Sequence, residues 1–333
     1  MHTTLATETL KTGETLRVEC VLAPDAEREA QIRPFLGHKP PDYLGHIEAA
    51  LAGACDDLET RFYIGLLADG QMVGNIMTVE ANGVGILGHV NTREDQRRKG
   101  ICQAIMRHQM EDFRQRGGHV LLLGTGYESP PYWIYHSFGF RDLPGGSPGT
   151  MRYSREEEPD FDAQFFAPGS YRPVKAGWKH WPLVALLSSQ PSPVALRSLA
   201  LRAWGISMLE GPYTGFLTRW GQDPRAHAAV LESETGAVTA CATCIPDPLW
   251  RGVMLLDAFA HPNVGPEALA ALLKALPLPS GTTQCYADPR DTAKIAALEQ
   301  TGFQRAAILP EQFRDGNAWR DAWLYTRRAD ESA

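Results

Sequence analysis

Four basic residues, Arg93, Arg97, Arg98 and Lys99, fall within seven positions and run directly into Gly100. They separate an apolar, strand-like run, Ile86-Leu-Gly-His-Val-Asn-Thr92, from a helical pattern that begins at Ile101. A strand ending in a basic loop before a helix start presents unpaired backbone N–H groups and the positive end of the helix dipole to an anion. Gly100 lets the backbone come close to a phosphate, and Arg97, Arg98 and Lys99 add charge-assisted hydrogen bonds. The chemistry is the binding of a phosphate or pyrophosphate, with a solvated basic turn as the plainer alternative. The spacing is neither that of the Gly…Gly-Lys-Ser/Thr nucleotide loop nor that of the three-glycine dinucleotide fingerprint. A second constellation, Cys241-Ala-Thr-Cys244, lies in a run of β-branched and small residues that reads as a strand. Positions i and i+3 of a strand face opposite sides, so no metal or redox site is expected there.

Gln96-Arg-Arg-Lys-Gly-Ile-Cys102 resembles the Arg/Gln-x-x-Gly-x-Gly/Ala pyrophosphate loop of the GNAT superfamily of N-acetyltransferases. Tyr135-His-Ser-Phe-Gly-Phe140 is similar to the Tyr-x-x-x-Gly-Phe that closes the acyl-CoA site of that family. The likeness runs from Arg61 to Phe140, with Ile86–Thr92 as the family's fourth strand and His119–Thr125 as its fifth. It implies acetyl-CoA as co-substrate, with pantetheine in a gap between those strands bonded to the backbone of Val90 and Thr92. Arg97, Arg98, Lys99, Gly100, Ile101 and Cys102 would hold the pyrophosphate, and Tyr135 would be the general acid that protonates the departing thiolate. The resemblance implies no metal. Cys102 departs from the usual Gly or Ala, which alters the approach of the pyrophosphate or exposes the site to alkylation. Ser129-Pro-Pro-Tyr-Trp-Ile-Tyr135 stands where many members have an Asn followed by an Ala.

An amine of pKa ≈ 10.4 is almost wholly protonated at neutral pH, and freeing it costs about 4.6 kcal/mol unless an acceptor takes the proton. A base or water relay is therefore expected. His89, on the fourth strand, and Glu80, at the end of the third, lie where family members often place one. Asp69 and Gly70 read as turn residues.

The elements that must position these groups are written twice. Arg61–Glu80 reads as strand, Asp-Gly turn, strand, and His227–Pro246 repeats the pattern. A helix start at Gly100 recurs at Gly265, and the Gly-Phe of Gly139-Phe140 recurs at Gly302-Phe303. The chain of 333 residues therefore divides into residues 1–160, an N-terminal acetyltransferase-type domain expected to be active, and residues 161–333, a degenerate copy. Each is expected to be α/β (α+β), a mixed, mostly antiparallel sheet flanked by helices. The linker is the Pro/Gly-rich stretch 144–177 with its acidic run Glu156-Glu157-Glu158. In the second copy, Pro262-Asn-Val-Gly-Pro266 carries no basic residue, Pro266 removes an N–H donor, and Leu298 stands for Tyr135. That copy is expected to pack on the first and wall an acceptor pocket. Trp178, Trp181, Trp204 and Trp220 are candidates for that wall or for core.

Composition sets the frame. With 44% apolar and 21% charged residues, a disordered chain, a collagen and a coiled coil are excluded. The net charge of −7 is concentrated in residues 1–165, where 16 basic residues face 24 acidic ones. That balance argues against nucleic acid or an anionic membrane as partner and suits a small-molecule amine acceptor of cationic character. A homodimer is left open. Six scattered cysteines, no apolar run near ~20 residues and no signal-peptide core point to a cytoplasmic protein with reduced thiols. The function expected is N-acyl transfer from acetyl-CoA to an amine by direct attack in a ternary complex. The alternative is a non-catalytic acyl-CoA-binding or scaffold protein that keeps the fold.

Overall fold

The structure, a computed structural model, describes residues 1–55, 57–155 and 160–329. The acidic run Glu156-Glu157-Glu158 lies outside the described residues. The chain forms two compact units, Met1–Pro159 and Asp160–Ala333, each with the mixed, mostly antiparallel sheet expected.

The N-terminal unit runs β1 (His2–Thr9), β2 (Thr15–Leu22), α1 (Ala26–Leu36), α2 (Pro41–Leu51), β3 (Glu59–Leu67), β4 (Met72–Ala81), β5 (Val84–Thr92), α3 (Ile101–Gln115), β6 (Val120–Gly124), α4 (Pro130–Ser137), β7 (Arg141–Asp142) and β8 (Thr150–Ser154). Its sheet has the order β1-β2-β3-β4-β5-β6-β8-β7. Neighbours are antiparallel except β5 and β6. Asn82-Gly83, both at positive φ, supply the tight turn joining β4 to β5. The β1–β2 hairpin has no counterpart in the sequence-based expectation, which took the opening residues only as a segment without a signal core.

Helix α3 is amphipathic. Ile101, Ala104, Ile105, Met106, Met110 and Phe113 are buried, at the i, i+3, i+4 spacing that makes an apolar stripe. Each large member contributes about 1.5–3 kcal/mol of burial. The stripe packs on one face of the sheet with Leu16, Val18, Tyr63, Ile76, Leu87, Leu121 and Leu123. Helix α2 lies on the other face. Thr60 meets His46 of α2, whereas Tyr63 donates to Asp112 of α3 at 2.6 Å, and residues three apart in a strand point to opposite sides.

The α3 face buries one charge cluster. Arg116 holds both oxygens of Glu80, at 2.6 and 3.0 Å, and also contacts Asp112 at 2.8 Å and the Tyr63 hydroxyl at 3.0 Å. Glu80 also accepts from Thr78 at 2.5 Å.

The second unit runs α5 (Phe161–Phe165), β9 (Tyr171–Lys175), α6 (Trp181–Ser189), β10 (Leu196–Ser198), β11 (Ala203–Trp204), α7 (Gly211–Trp220), β12 (His227–Ser233), β13 (Val238–Pro246), β14 (Val253–Ala260), α8 (Pro266–Ala275), β15 (Gly281–Ala287), α9 (Thr292–Gln300), β16 (Gln304–Asp315) and β17 (Ala318–Ala329). Its main sheet, read from β9, is β9-β12-β13-β14-β15-β17-β16. That is the order of β2 to β7 in the first unit, with the parallel pair, now β14 and β15, in the same place.

Replacing Arg116 by Ala strands the Glu80 carboxylate, whose side chain is 7% exposed, beside Asp112. The expected loss is about 3 kcal/mol of N-terminal unit stability, read as a lowered urea midpoint; an unchanged midpoint would show that the pair contributes nothing.

Candidate acyl-transfer site

Strands β5 and β6 share three register pairs, Val84↔Val120, Gly85↔Leu121 and Ile86↔Leu122, and no more. Beyond them β5 follows β4 to Thr92 while β6 follows β8. A bulge accompanies the divergence. The β4–β5 register passes from Met77↔Gly88 to Asn75↔Asn91, so His89 and Val90 both stand opposite Ile76. His89 takes a left-handed φ of 51°, a conformation that costs a non-glycine residue free energy. Asn75 clamps the bulge by donating Nδ2–H to the His89 carbonyl at 3.0 Å.

At the open end of this gap lies the basic loop. Arg98 (φ 64°) and Gly100 (φ 90°) are both left-handed, and such alternation turns successive N–H groups toward one concavity. A Cβ on Gly100 would meet none of the chain's own atoms within 4 Å, so within the protein glycine serves its backbone angle here. Gly100 caps α3 without a side-chain bond, leaving the first-turn N–H groups to an external acceptor. The four basic residues are not equivalent. Arg93 is paired with Asp95 at 2.6 and 2.8 Å. Lys99 is held by Glu14 at 3.0 Å and Gln96 at 2.7 Å. Arg97 reaches the Thr92 carbonyl at 3.3 Å, and Arg98 has no carboxylate partner among the described residues. Burial pushes the Cys102 thiol up to about 11, which disfavours the thiolate that alkylating agents attack.

Tyr135 is buried on α4 in the same apolar cluster as Ile101 and Leu123, and Val90 packs against that cluster. The structure thus gathers Val90, Tyr135 and the head of α3 on one face. Ser129 caps α4, and Gly139, at φ 93°, ends it.

The two candidate bases are separated. Glu80 lies on the α3 face with both oxygens bonded to Arg116, an ion pair that any role as a base would have to open. His89 lies on the α2 face, its ring edge-on to Tyr43 at 5.1 Å. Burial, with the nearby charges of Lys39 and His38, pulls its pKa down to about 3, so it is neutral at physiological pH and holds a proton poorly. Its Nε2 is buried without a hydrogen-bond partner, as is Oδ1 of Asn75. Asn75 was missed, although one amide inside the apolar run Met72–Val79 was a readable sign, since a buried polar group needs a partner.

The second unit departs from this plan. β14 and β15 also share three pairs, Val253↔Thr282 to Leu255↔Gln284, but β13 and β14 run in unbroken register with no bulge. The divergence is bridged from within: Asp257 of β14 accepts the Ala200 N–H at 2.7 Å, and Asp288, just after β15, accepts that of Ala195 at 3.3 Å. Within this strap Arg197 is fully buried, bonded to carbonyls of Leu187, Ser188 and Gly205 and stacked over Phe259. Pro266 and the acidic Glu267 open α8. Of the four tryptophans, Trp181 is core while Trp204 is 42% exposed. Cys241 and Cys244 are buried thiols pushed up to about 12, and no group of metal-binding residues occurs among the described residues. Among the described residues no helix is long and apolar enough to cross a membrane.

Residues 26–140 match the model of the Acetyltransferase (GNAT) family, so the N-terminal unit carries a domain of that family. Solved structures similar to this chain include a GNAT superfamily phosphinothricin acetyltransferase from Sinorhizobium meliloti in complex with AcCoA, 16% identical over 49% of this chain and 90% of that one, with a TM-score of 0.40. Others are a ribosomal-protein-alanine N-acetyltransferase from Brucella melitensis (19% identical, 47% of this chain and 99% of that one, TM-score 0.37) and an N-acetyltransferase from Staphylococcus aureus Mu50 (14%, 48% and 99%, TM-score 0.38). No curated protein matches the chain.

Burial holds His46, like His89, neutral, with a pKa near 3. The unfolded chain takes up protons on both below pH 6.5 while the folded chain refuses them down to about pH 3. Stability present above pH 6.5 is therefore lost on acidification, by about 2 kcal/mol per imidazole at pH 5. A His89→Gln variant should lose less stability than wild type between pH 7 and 5 in urea titrations; parallel curves would place the His89 pKa near its ordinary value.

Proposed function

We propose that the N-terminal unit transfers an acetyl group from acetyl-CoA to the amine of a small molecule by direct attack in a ternary complex, in the cytoplasm. The observation that carries the reading is the divergence of β5 from β6 beside a concavity of amides at the head of α3, with Tyr135 packed in the same cluster. The residues suit the co-substrate. The amides of Arg98 to Cys102 and the guanidinium groups of Arg97 and Arg98 would hold the pyrophosphate, and the backbone of Val90 and Thr92 would hold pantetheine, Arg97 giving up its bond to the Thr92 carbonyl. Lys99 can exchange its half-exposed pair with Glu14 for a phosphate at small cost, since such pairs are worth about 0–1 kcal/mol.

The amine, once deprotonated, forms the C–N bond as the C–S bond breaks. Tyr135 gives its proton to the sulfur, a transfer that suits a phenol of pKa ≈ 10. The nitrogen sheds its surplus proton to water, Tyr135 is reprotonated from water, and each turnover releases one proton. With Glu80 committed and His89 a poor proton holder, a water relay takes the amine's proton. Six unbridged cysteines support the cytoplasmic assignment. The second unit is proposed as a non-binding copy, its gap spanned by its own strap.

Tyr135→Phe should cut free-thiol release with acetyl-CoA about 100-fold or more while leaving coenzyme A affinity within twofold; undiminished release would remove Tyr135 from its role. Replacing Arg97 and Arg98 together by Ala should weaken coenzyme A about tenfold or more in calorimetry, at one site per chain, and leave pantetheine unaffected. Equal losses for both ligands would contradict the pyrophosphate assignment.

A further inference from the structure

On the α2 face of the β5 bulge three polar groups lack partners. The Nε2 of His89 and Oδ1 of Asn75 are buried without a hydrogen bond, their residues 9% and 1% exposed. The third is the ammonium of Lys39, half-buried two residues ahead of α2 and without a carboxylate in ion-pair range among the described residues. Tyr43, in the first turn of α2, touches the His89 ring and ties the helix start to the bulge. Buried polar atoms left unpaired cost free energy that a ligand recovers. Two acceptors together suit the N–H groups of an amine, and a cation beside them suits an anion. The carboxylates of α1 and its surroundings that could have drawn a cation are already spent. Glu19 pairs with Arg28 and Arg17, Glu29 and Glu48 with Arg33, and Asp25 with His2 and the N-terminus. Among these groups the charge left open is the Lys39 ammonium, of the same sign as the cationic acceptor that composition suggested, which it would repel.

We infer that this face is the acceptor site and that it selects amino acids, the amine on Asn75 Oδ1 and His89 Nε2 and the carboxylate on Lys39. The inference rests on the acyltransferase reading above. Asn75 and His89 position the nucleophile on the side of the sheet away from α3, so the acceptor and the pyrophosphate loop meet the gap from opposite faces. Lys39 then sets specificity without touching the reacting atoms.

The test is free-thiol release from acetyl-CoA over the standard L-amino acids and matched decarboxylated amines, such as phenylalanine with phenethylamine and lysine with cadaverine. At least one amino acid should exceed its decarboxylated partner about 10- to 100-fold in kcat/KM. Lys39→Met, which keeps the apolar stem, should erase that margin by raising KM for the amino acid at near-constant kcat, leaving the amine unchanged. Turnover of amines at equal or better rates, or an amino-acid preference indifferent to Lys39→Met, overturns the inference while the acyltransferase reading stands. Release from no compound overturns both.

Discussion

The site depends on the parting of two parallel strands after three shared pairs. A sheet normally closes its interior edges, because unpaired N–H and C=O groups are costly when buried. Here β5 parts from β6 with a bulge at His89 and Val90, and its last residues are left bonded on one side. The left-handed His89 stores strain that Asn75 offsets through the carbonyl it binds. Everything assigned to acyl transfer is arranged around that opening: amides at the head of α3, Tyr135 under one face, and the open Asn75 Oδ1 and His89 Nε2 on the other. The strands are parallel, so the loops leaving both emerge at the same end, and α3 and α4 begin there together.

The second unit shows what the same strand order does without the bulge. Its register is unbroken from Ala240↔Ala260 to Pro246↔Met254, and the divergence that remains is bridged by residues 195–200. Holding that strap requires charge in the interior. Burial raises the carboxyl of Asp257, with Lys294 opposing the shift, and Arg197 is lowered to about 10 by desolvation. Buried charge of this kind is a weak source of stability, which argues that the cluster fixes the path of the strap more than it stabilises the core.

The parts legible in the sequence were those with short-range signatures. Gly100 and Gly265 open helices in both units, Gly139 and Gly302 end them at positive φ, and the strand, turn, strand blocks stand where the hairpin pattern put them. The parts that were not legible depend on contacts between distant residues. The pairing of Glu80 with Arg116, 36 positions on, left no local sign. A bulge adds one residue to a strand and leaves no mark on composition, so the conformation of His89 was hidden. Lys39 and Asn75 converge only because α2 folds over the sheet. The strap was not legible because its partners, Asp257 and Asp288, follow it by 57 and 93 positions.

That strap also divides the thermodynamics of the molecule. A segment covalently tethered beside its own cleft acts at an effective concentration of about millimolar or more, and no dissolved molecule has to be recruited to fill the space. The second unit carries this segment beside its own strands as part of its fold. Under the proposed function the first unit would draw part of its stability from the acetyl-CoA it binds, in proportion to the logarithm of ligand concentration. On that reading one chain joins a half whose stability would follow its ligand to a half whose strap belongs to the fold itself.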